Sequence, residues 1–193
     1  ARPLARGLGE NPRKRAPAAA LADFHLTDVP WARDGHYYDP LTRPGLSPLH
    51  DAGAYYLQEP SAMAPAGLLC AQPGERVLDL CAAPGGKSTQ LAAVMAGRGL
   101  LVCNEISPRR AKILAGNIER MGVSNALVLC EHPARLAERF AGFFDRILVD
   151  APCSGEGMFR KEAAAVTDWS EETVRMCSRR QQEILHSAAA MLR

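Results

Sequence analysis

Short apolar runs alternate with stretches of helical hydrophobic spacing from residue 76 onward. The apolar runs of strand length lie at 76–80, 100–103, 126–130 and 145–150. Segments whose apolar positions recur at helical spacing lie between them, at 87–95, 108–121 and 133–140. Strands that alternate with helices through short loops predict an α/β fold with a parallel sheet and helices on both faces. In such folds, ligands bind at the carboxyl ends of the strands. The residues that fall at those ends are Gly86, Glu105, Glu131, His132 and Asp150.

Residues 1–70 lack this alternation and are rich in proline, so we expect an irregular N-terminal segment. All four tyrosines and one of the two tryptophans lie here among basic residues. Such aromatics either stack on unpaired bases or cover a core, and the sequence leaves both open. A short helix over 62–70 is predicted ahead of the first parallel strand. The predicted domains are therefore an RNA-binding or capping segment at 1–70 and a second domain at 71–193.

Length and composition indicate an ordinary globular chain. Its 193 residues, 47% of them hydrophobic, suffice for one domain with a sizeable core, with or without a small appendage. No apolar run approaches the roughly 20 residues of a membrane span, and no signal segment opens the chain, so we expect a cytoplasmic protein without membrane contact. The net charge is +2, but residues 1–20 carry five basic residues and one acid. That excess suits either a polyanion partner or a solvated tail.

The six cysteines are far apart in the sequence. They are Cys70, Cys81, Cys103, Cys130, Cys153 and Cys177. The sequence has no Cys-x-x-Cys pair and no histidine cluster, so no metal site is expected. Several of these cysteines lie in apolar strand patterns, where a reduced thiol behaves as a small hydrophobic side chain.

The stretch from Arg76 to Thr89 is the first that indicates chemistry, because a strand, a glycine turn and a helix follow one another there. Such a turn can hold the polar end of a small ligand. A phosphate-binding P-loop would need glycine where Cys81 stands, and a dinucleotide fingerprint would need spaced glycines. A third interpretation is S-adenosylmethionine, which needs a close backbone and an acid for its ribose. Glu105, at the end of the next strand, is such an acid, although a solvated carboxylate also suits that position.

The second stretch that indicates chemistry is Asp150 to Lys161, after the fourth strand. An enzyme that methylates an exocyclic base nitrogen would want an aromatic residue after Pro152 to stack on the flipped base, but Cys153 stands there. A thiol beside an acid instead suits attack on a pyrimidine, because C5 of cytosine becomes nucleophilic only after a thiolate has added at C6. The proline, glycine and charged neighbours of Cys153 predict an exposed loop rather than a buried structural thiol.

Three motifs together resemble those of the Sun family of RNA cytosine-5 methyltransferases. They are Cys81–Lys87, Asn104–Glu105 and Asp150–Gly155. The runs Phe159–Lys161 and Gln58–Ser61 resemble the bacterial small-subunit rRNA branch, and the similarity covers nearly the whole chain from Pro30 on. The resemblance implies a Rossmann-like S-adenosylmethionine-dependent methyltransferase fold, of which the first four strands are present, and an rRNA substrate with a flipped or single-stranded cytosine. Naked rRNA and an assembled small subunit both remain open as substrates, and we expect a monomer.

The resemblance also implies roles for individual residues. Asp150 would contact the cytosine ring, Lys87 would reach toward both cofactor and base, and Cys153 would help to release the methylated product. The residues implied to bind S-adenosylmethionine are Cys81, Ala82, Ala83, Pro84, Gly85, Gly86, Lys87, Glu105, His132 and Asp150. His132 departs from the family, which usually has an acid there for the adenine amino group. A neutral imidazole could accept that hydrogen bond, or Glu131 could do so.

The nucleophilic cysteine of the family lies on a later strand, which we expect beyond residue 193. Cys177 does not replace it, because it lies on the predicted apolar face of a helix that Ser170 begins. The positions predicted for that face are Val174, Cys177, Ile184, Leu185, Ala188 and Leu192. We therefore expect the 193-residue piece to be truncated, to lack turnover and to leave its fourth strand as an unpaired edge. If the natural chain ended at Arg193, a non-catalytic assembly factor that binds RNA and cofactor would be the alternative. An ATP-dependent enzyme is a third hypothesis, which predicts nucleotide hydrolysis and a magnesium requirement.

Overall fold

Strands of two to four residues form an antiparallel sheet near the start of the chain. The structure is a computed structural model that describes residues 5–159, 167 and 169–193. The first strands are β1 (Gly7–Glu10), β2 (Thr27–Asp28), β3 (Gly35–Tyr37) and β4 (Tyr55–Leu57). They pair in the order β2-β3-β1-β4. The expectation of an irregular segment is therefore wrong, because strands this short show no alternating pattern in the sequence.

A parallel sheet of four strands follows. Its strands are β5 (Arg76–Asp79), β6 (Leu100–Asn104), β7 (Ala126–Leu129) and β8 (Arg146–Leu148). They lie in the order β7-β6-β5-β8, and each neighbouring pair is parallel. The predicted α/β fold is confirmed, with each strand at or near its predicted bounds. Among the described residues, β8 is an outer strand of this sheet.

Seven α-helices are assigned within the described residues. They are α1 (Ala18–Leu21), α2 (Pro48–Asp51), α3 (Pro60–Leu68), α4 (Gly86–Met95), α5 (Pro108–Arg120), α6 (Pro133–Arg139) and α7 (Glu171–Met191). Proline in the first turn starts α5, as predicted. The hydroxyl of Ser170 accepts a hydrogen bond from the backbone N–H of Thr173 at 3.1 Å, which confirms the predicted N-cap of α7.

Two apolar clusters cover the two faces of the parallel sheet. On one face, α4 and α5 pack Leu91 and Leu114 against the strands. On the other face, α6 and α7 contribute Leu136 and Met191. Burial of both faces explains why the parallel strands appear in the sequence as continuous apolar runs rather than as alternating ones.

Helix α7 buries one face, but its extent differs from the prediction. Cys177 is buried, as expected for a core position. Leu185 and Leu192, which we expected on the same face, are exposed, whereas Met191 is fully buried. The difference arises because Met191 follows Ala188 by three residues and Ile184 by seven, so the buried stripe keeps strict helical spacing.

Basic and amide side chains near the start of the chain dock onto the carboxyl end of α5. The ammonium group of Lys14 donates to the carbonyl of Arg120 at 2.7 Å, and the amide of Asn11 donates to that of Met121 at 2.8 Å. Arg13 donates to Ala92 in the last turn of α4. Carbonyls at helix ends lack partners within the helix and carry partial negative charge. Part of the N-terminal basic charge therefore ties the N-terminal segment to the helices that cover the parallel sheet.

Candidate functional site

The turn between β5 and α4 is shaped by two glycines. Gly85 has φ of +117°, which side chains rarely allow. A Cβ on Gly86 would lie 3.1 Å from a ring carbon of Tyr56 and 3.1 Å from the side-chain carbonyl carbon of Gln58. Glycine at 86 thus lets β4 of the N-terminal sheet press directly on the first turn of α4. The free N–H groups of that helix end face the turn, as the sequence predicts.

A cavity of about 240 Å³ opens beside this turn. Its lining residues are Tyr56, Leu57, Gln58, Glu59, Ala62, Cys81, Ala82, Ala83, Pro84, Gly86, Lys87 and Asp150. The structure therefore brings most of the predicted turn residues and Asp150 to one space. Strand β4 and the residues after it supply one wall, which the sequence pattern does not predict, because Gln58 and Glu59 stand there only in a run that resembles a family motif.

Lys87 and Asp150 meet in this cavity. The Lys87 ammonium lies 2.6 Å from a carboxylate oxygen of Asp150, a charge-assisted hydrogen bond. The lysine side chain is 18% exposed and the aspartate 58% exposed, so the pair sits at the mouth rather than in the core. The Lys87 ammonium and the Asp150 carboxylate therefore lie at the opening through which a ligand would enter.

Asp79 lies just before the turn and was missed by the sequence reasoning. It is fully buried, and one carboxylate oxygen accepts a hydrogen bond from Ser88 at 2.7 Å. The other oxygen has no partner among the described residues. Burial raises the pKa of Asp79 from 3.8 to about 6, although the hydrogen bond from Ser88 and the charge of Lys87 lower it. Asp79 ties the first turn of α4 to the end of β5.

Glu105 lies at the end of β6, as predicted, and its side chain is only 3% exposed. One carboxylate oxygen accepts from the backbone N–H of Ser107 at 3.0 Å. The other lies 3.2 Å from the Arg110 guanidinium, which also donates to the carbonyl of Ala83 in the turn at 2.8 Å. Arg110 thus links the acid to the turn. Sequence reasoning missed it because it appears there as one of several basic residues on a surface helix.

His132 acts as the N-cap of α6. Its Nδ1 accepts from the backbone N–H of Ala134 at 3.3 Å, so a neutral ring carries its proton on Nε2. That nitrogen would donate to an adenine rather than accept from its amino group, and the geometry does not support the acceptor role considered for His132. Glu131 is nearby, with one carboxylate oxygen accepting from the backbone N–H of His132 at 2.8 Å. Among these side chains, the Glu131 carboxylate is the acceptor that suits an amino group.

Cys153 lies in an exposed loop after β8, as predicted. Glu156 organises this loop, because its carboxylate accepts from Ser154 at 2.7 Å and from the indole of Trp169 at 2.9 Å. Gln181 of α7 donates to the carbonyl of Pro152 at 2.9 Å. The residues that line the cavity do not include Cys153, Glu105 or His132. Arg160 and Lys161, part of the second motif, lie outside the described residues.

The other cysteines differ from Cys153 in their surroundings. Burial, together with the nearby carboxylates of Asp79, Glu105 and Asp150, raises the pKa of Cys81 to about 11. Cys81 is therefore a neutral thiol near pH 7 and suits a wall of the cavity rather than a nucleophile. Burial also raises the pKa of Cys103.

Within the described part of the chain, potential metal-ligating side chains form no cluster of three or more. None of the helices in this part is long and apolar enough to cross a membrane.

Comparisons of sequence relate both parts of the chain to one group of proteins. The model of the 16S rRNA methyltransferase RsmB/F family matches residues 66–193, and that of the N-terminal domain of 16S rRNA methyltransferase RsmF matches residues 1–60. The ribosomal RNA small subunit methyltransferase F of Vibrio cholerae is 39% identical, over 100% of this chain and 43% of the relative. That of Serratia proteamaculans is 39% identical, over 97% of this chain and 41% of the relative. The chain therefore spans less than half the length of these relatives.

Comparisons of structure find solved proteins with a similar fold. A methyltransferase homolog protein from Pyrococcus horikoshii matches with a TM-score of 0.83 and 28% identity, over 100% of this chain and 62% of that chain. NSun6 from the same organism, crystallised with SFG, matches with a TM-score of 0.84 and 16% identity, over 98% of this chain and 73% of that chain. The second likeness shows the fold alone.

Proposed function

The chain belongs to the 16S rRNA methyltransferase RsmB/F family, and we propose that its protein methylates C5 of a cytosine in small-subunit rRNA with S-adenosylmethionine. The observation that carries the proposal is the pairing of Lys87 with Asp150 at 2.6 Å, in a cavity lined by the glycine turn. A phosphate-binding turn would aim its lysine at phosphate. Here the lysine faces a carboxylate, which suits a polar heterocycle that offers both donors and acceptors.

The residues around the turn fit S-adenosylmethionine, which supplies an electrophilic methyl group when bound. Gly85 and Gly86 let the backbone approach a ligand closely, as a cofactor without phosphate requires. Each carboxylate oxygen of Glu105 has one protein partner, so each retains a lone pair for a ribose hydroxyl. Arg110 and Ser107 hold that carboxylate in place. Glu131 would accept from the adenine amino group.

Lys87 and Asp150 would hold the cytosine. Addition of a thiolate at C6 places negative charge on the ring, and a proton on N3 neutralises it. Asp150 would accept a hydrogen bond from that protonated edge, while Lys87 would pair with the carboxylate and donate to the ring oxygen. The attacking thiol would be the family's nucleophilic cysteine, a role that neither the buried Cys177 nor the neutral Cys81 suits.

Cys153 would act after methylation. The C5 proton must leave so that the C6–S bond can break and the aromatic ring can return. A thiol in an exposed loop three residues beyond Asp150 suits assistance in this elimination. Glu156 and Gln181 position the loop through the hydrogen bonds described above.

The test uses the complete gene product with 16S rRNA and S-adenosylmethionine that carries a labelled methyl group. Digestion of the RNA to nucleosides should place the label in 5-methylcytidine. Lys87→Met and Asp150→Asn should each lower the rate by about 100-fold or more, typical for loss of a group that stabilises developing charge. Lys112→Met, on the exposed face of α5, is the matched control and should keep its rate. Label in another nucleoside, or full activity of both site variants, would contradict the proposal.

A further inference from the structure

Helix α5 holds the glycine turn through two consecutive carbonyl groups. The side-chain amide of Asn117 donates to the carbonyl of Pro84 at 2.8 Å, one residue after the carbonyl that Arg110 binds. The same helix packs against Gly85, where a Cβ would lie 3.2 Å from a methyl carbon of Leu114. The helix therefore contacts the turn at three successive residues.

The hydrogen bond from Asn117 also sets the direction of the peptide group between Pro84 and Gly85. This peptide bond is trans, so its planar geometry points the N–H opposite to the carbonyl. Because the Pro84 carbonyl faces α5, the N–H of Gly85 points away from that helix. A backbone N–H beside the first turn of α4 suits a polar or anionic group of a ligand. The Asn117 amide therefore fixes the direction of one donor of the turn.

Arg120, three residues further along α5, connects Asn117 to the N-terminal sheet. One guanidinium nitrogen donates to the side-chain oxygen of Asn117 at 3.2 Å. Another donates to the backbone carbonyls of His50 at 2.5 Å and Tyr55 at 3.4 Å. A guanidinium can serve several carbonyls at once because its donors form a fixed fork. These contacts orient the Asn117 amide, with its oxygen toward Arg120 and its nitrogen toward Pro84.

Arg120 also contacts the wall of the cavity that β4 supplies. Its guanidinium lies over the ring of Tyr56, 5.7 Å from the ring centre. Tyr56 lines the cavity, and its ring meets the first turn of α4, where a Cβ on Gly86 would lie 3.1 Å from a ring carbon. The contacts thus run from the turn through Asn117 and Arg120 to β4, and from β4 back to the turn.

We propose that Asn117 and Arg120 are positioning residues, which hold the glycine turn and β4 at the separation that S-adenosylmethionine requires. This inference rests on the function proposed above, because it takes S-adenosylmethionine as the ligand of the turn. The residues that line the cavity include neither Asn117 nor Arg120. Their effect reaches the cofactor through the Pro84 carbonyl and the Tyr56 ring, so displacement of either group weakens binding of the cofactor without a lost contact to it.

The experiment measures methyl transfer to 16S rRNA by the complete gene product while the concentration of S-adenosylmethionine is varied. Asn117→Ala should raise the KM for the cofactor about tenfold, the scale of one lost hydrogen bond, and should change kcat by less than about twofold. Arg120→Lys keeps a cation over Tyr56 but loses the fork, so it should raise the KM about threefold. The double variant should match Asn117→Ala, because Arg120 acts on the turn through Asn117.

Arg109→Lys, at an exposed position in the first turn of α5, is the matched control and should keep both KM and kcat. Urea denaturation of the same proteins separates positioning from a contribution to stability alone. A contribution to stability alone would lower the free energy of unfolding and leave the KM of the folded enzyme unchanged. An unchanged KM in both single variants, or effects that multiply in the double variant, would overturn the proposal.

Hydrogen exchange without cofactor separates this proposal from the function on which it rests. Backbone amides of residues 81–89 should exchange faster in Asn117→Ala and Arg120→Lys than in Arg109→Lys. If that difference is present but the unchanged protein binds no S-adenosylmethionine by calorimetry, the proposed function fails and the support of the turn by α5 stands. If the cofactor binds and both variants match the control in KM and in exchange, the positioning role alone fails.

Discussion

Replacement of Asp79 by asparagine should change how the stability of the chain depends on pH. Asp79 is fully buried between β5 and α4, and its pKa is raised from 3.8 to about 6, chiefly by burial. Asparagine keeps the shape of the side chain and an oxygen that accepts from Ser88. It cannot ionise, so it removes the cost of a buried charge and leaves the packing nearly unchanged.

The direction in which stability changes with pH follows from proton binding to Asp79. Between pH 3.8 and about 6 the folded chain binds this proton and the unfolded chain releases it. The stability that neutral Asp79 contributes is therefore fully present below pH 3.8 and is lost as pH rises through about 6. A rise of the pKa from 3.8 to about 6 corresponds to about 3 kcal/mol in the free energy of unfolding. Relative to the unchanged chain, Asp79→Asn should gain about that much between pH 4 and pH 7.5.

The assay is urea denaturation of both chains, followed by circular dichroism at several pH values from 4 to 7.5. The difference between the two chains removes contributions from other titrating groups. Asp23→Asn, at an exposed position, controls for the loss of one negative charge. A difference between Asp79→Asn and the unchanged chain that stays constant over this pH range would refute the reasoning, because the carboxyl would then ionise as easily when folded as when unfolded.

Three further predictions concern packing, cofactor and catalysis. In Gly53→Ala, the new Cβ would lie 2.1 Å from the carbonyl oxygen of Arg120 at φ of +76°, so urea denaturation should show a loss of about 2–4 kcal/mol. Gly142→Ala, at φ of +59° with no atom within 4 Å, should lose only about 1 kcal/mol, and equal losses would contradict this account. Glu105→Gln should lower the affinity for S-adenosylmethionine about tenfold, as measured by calorimetry. An unchanged affinity would contradict the proposed contact of Glu105 with the ribose. Cys153→Ala in the complete gene product should accumulate a covalent RNA adduct on denaturing gels, whereas normal product release would refute its assigned part in elimination.

The parallel sheet could be predicted because the same pattern of an apolar run followed by a helical segment recurs along the chain. The central strands β5 and β6 are buried on both faces and appear as continuous apolar runs, and the helices between the strands show helical spacing. The antiparallel sheet could not be predicted in this way. Its strands have two to four residues, and β1 pairs with β3 and β4 far along the chain. Pairing of this kind is decided by tertiary contacts that a local pattern does not record.

The site was predicted where motifs are contiguous and missed where contacts are distant. The turn and Asp150 line one cavity, and their proximity could be predicted because both follow parallel strands that end at the same edge. Asp79 was counted only as part of an apolar strand, although an acid just before a glycine turn is a usable signal of a site residue. Arg110 lies five residues beyond Glu105, in the first turn of α5, and only the fold brings its guanidinium onto that acid. The division of the chain at residue 70 stays a prediction.

The central claim is that the methyl group goes to C5 of cytosine, and release of tritium tests it most directly. The complete gene product is incubated with S-adenosylmethionine and small-subunit rRNA that carries tritium at C5 of its cytosines. Methylation at C5 must expel that hydrogen, so this account predicts release of tritium to water in a one-to-one ratio with methyl transfer. Methyl transfer without release of tritium would contradict the account, because the group would then reside on another atom.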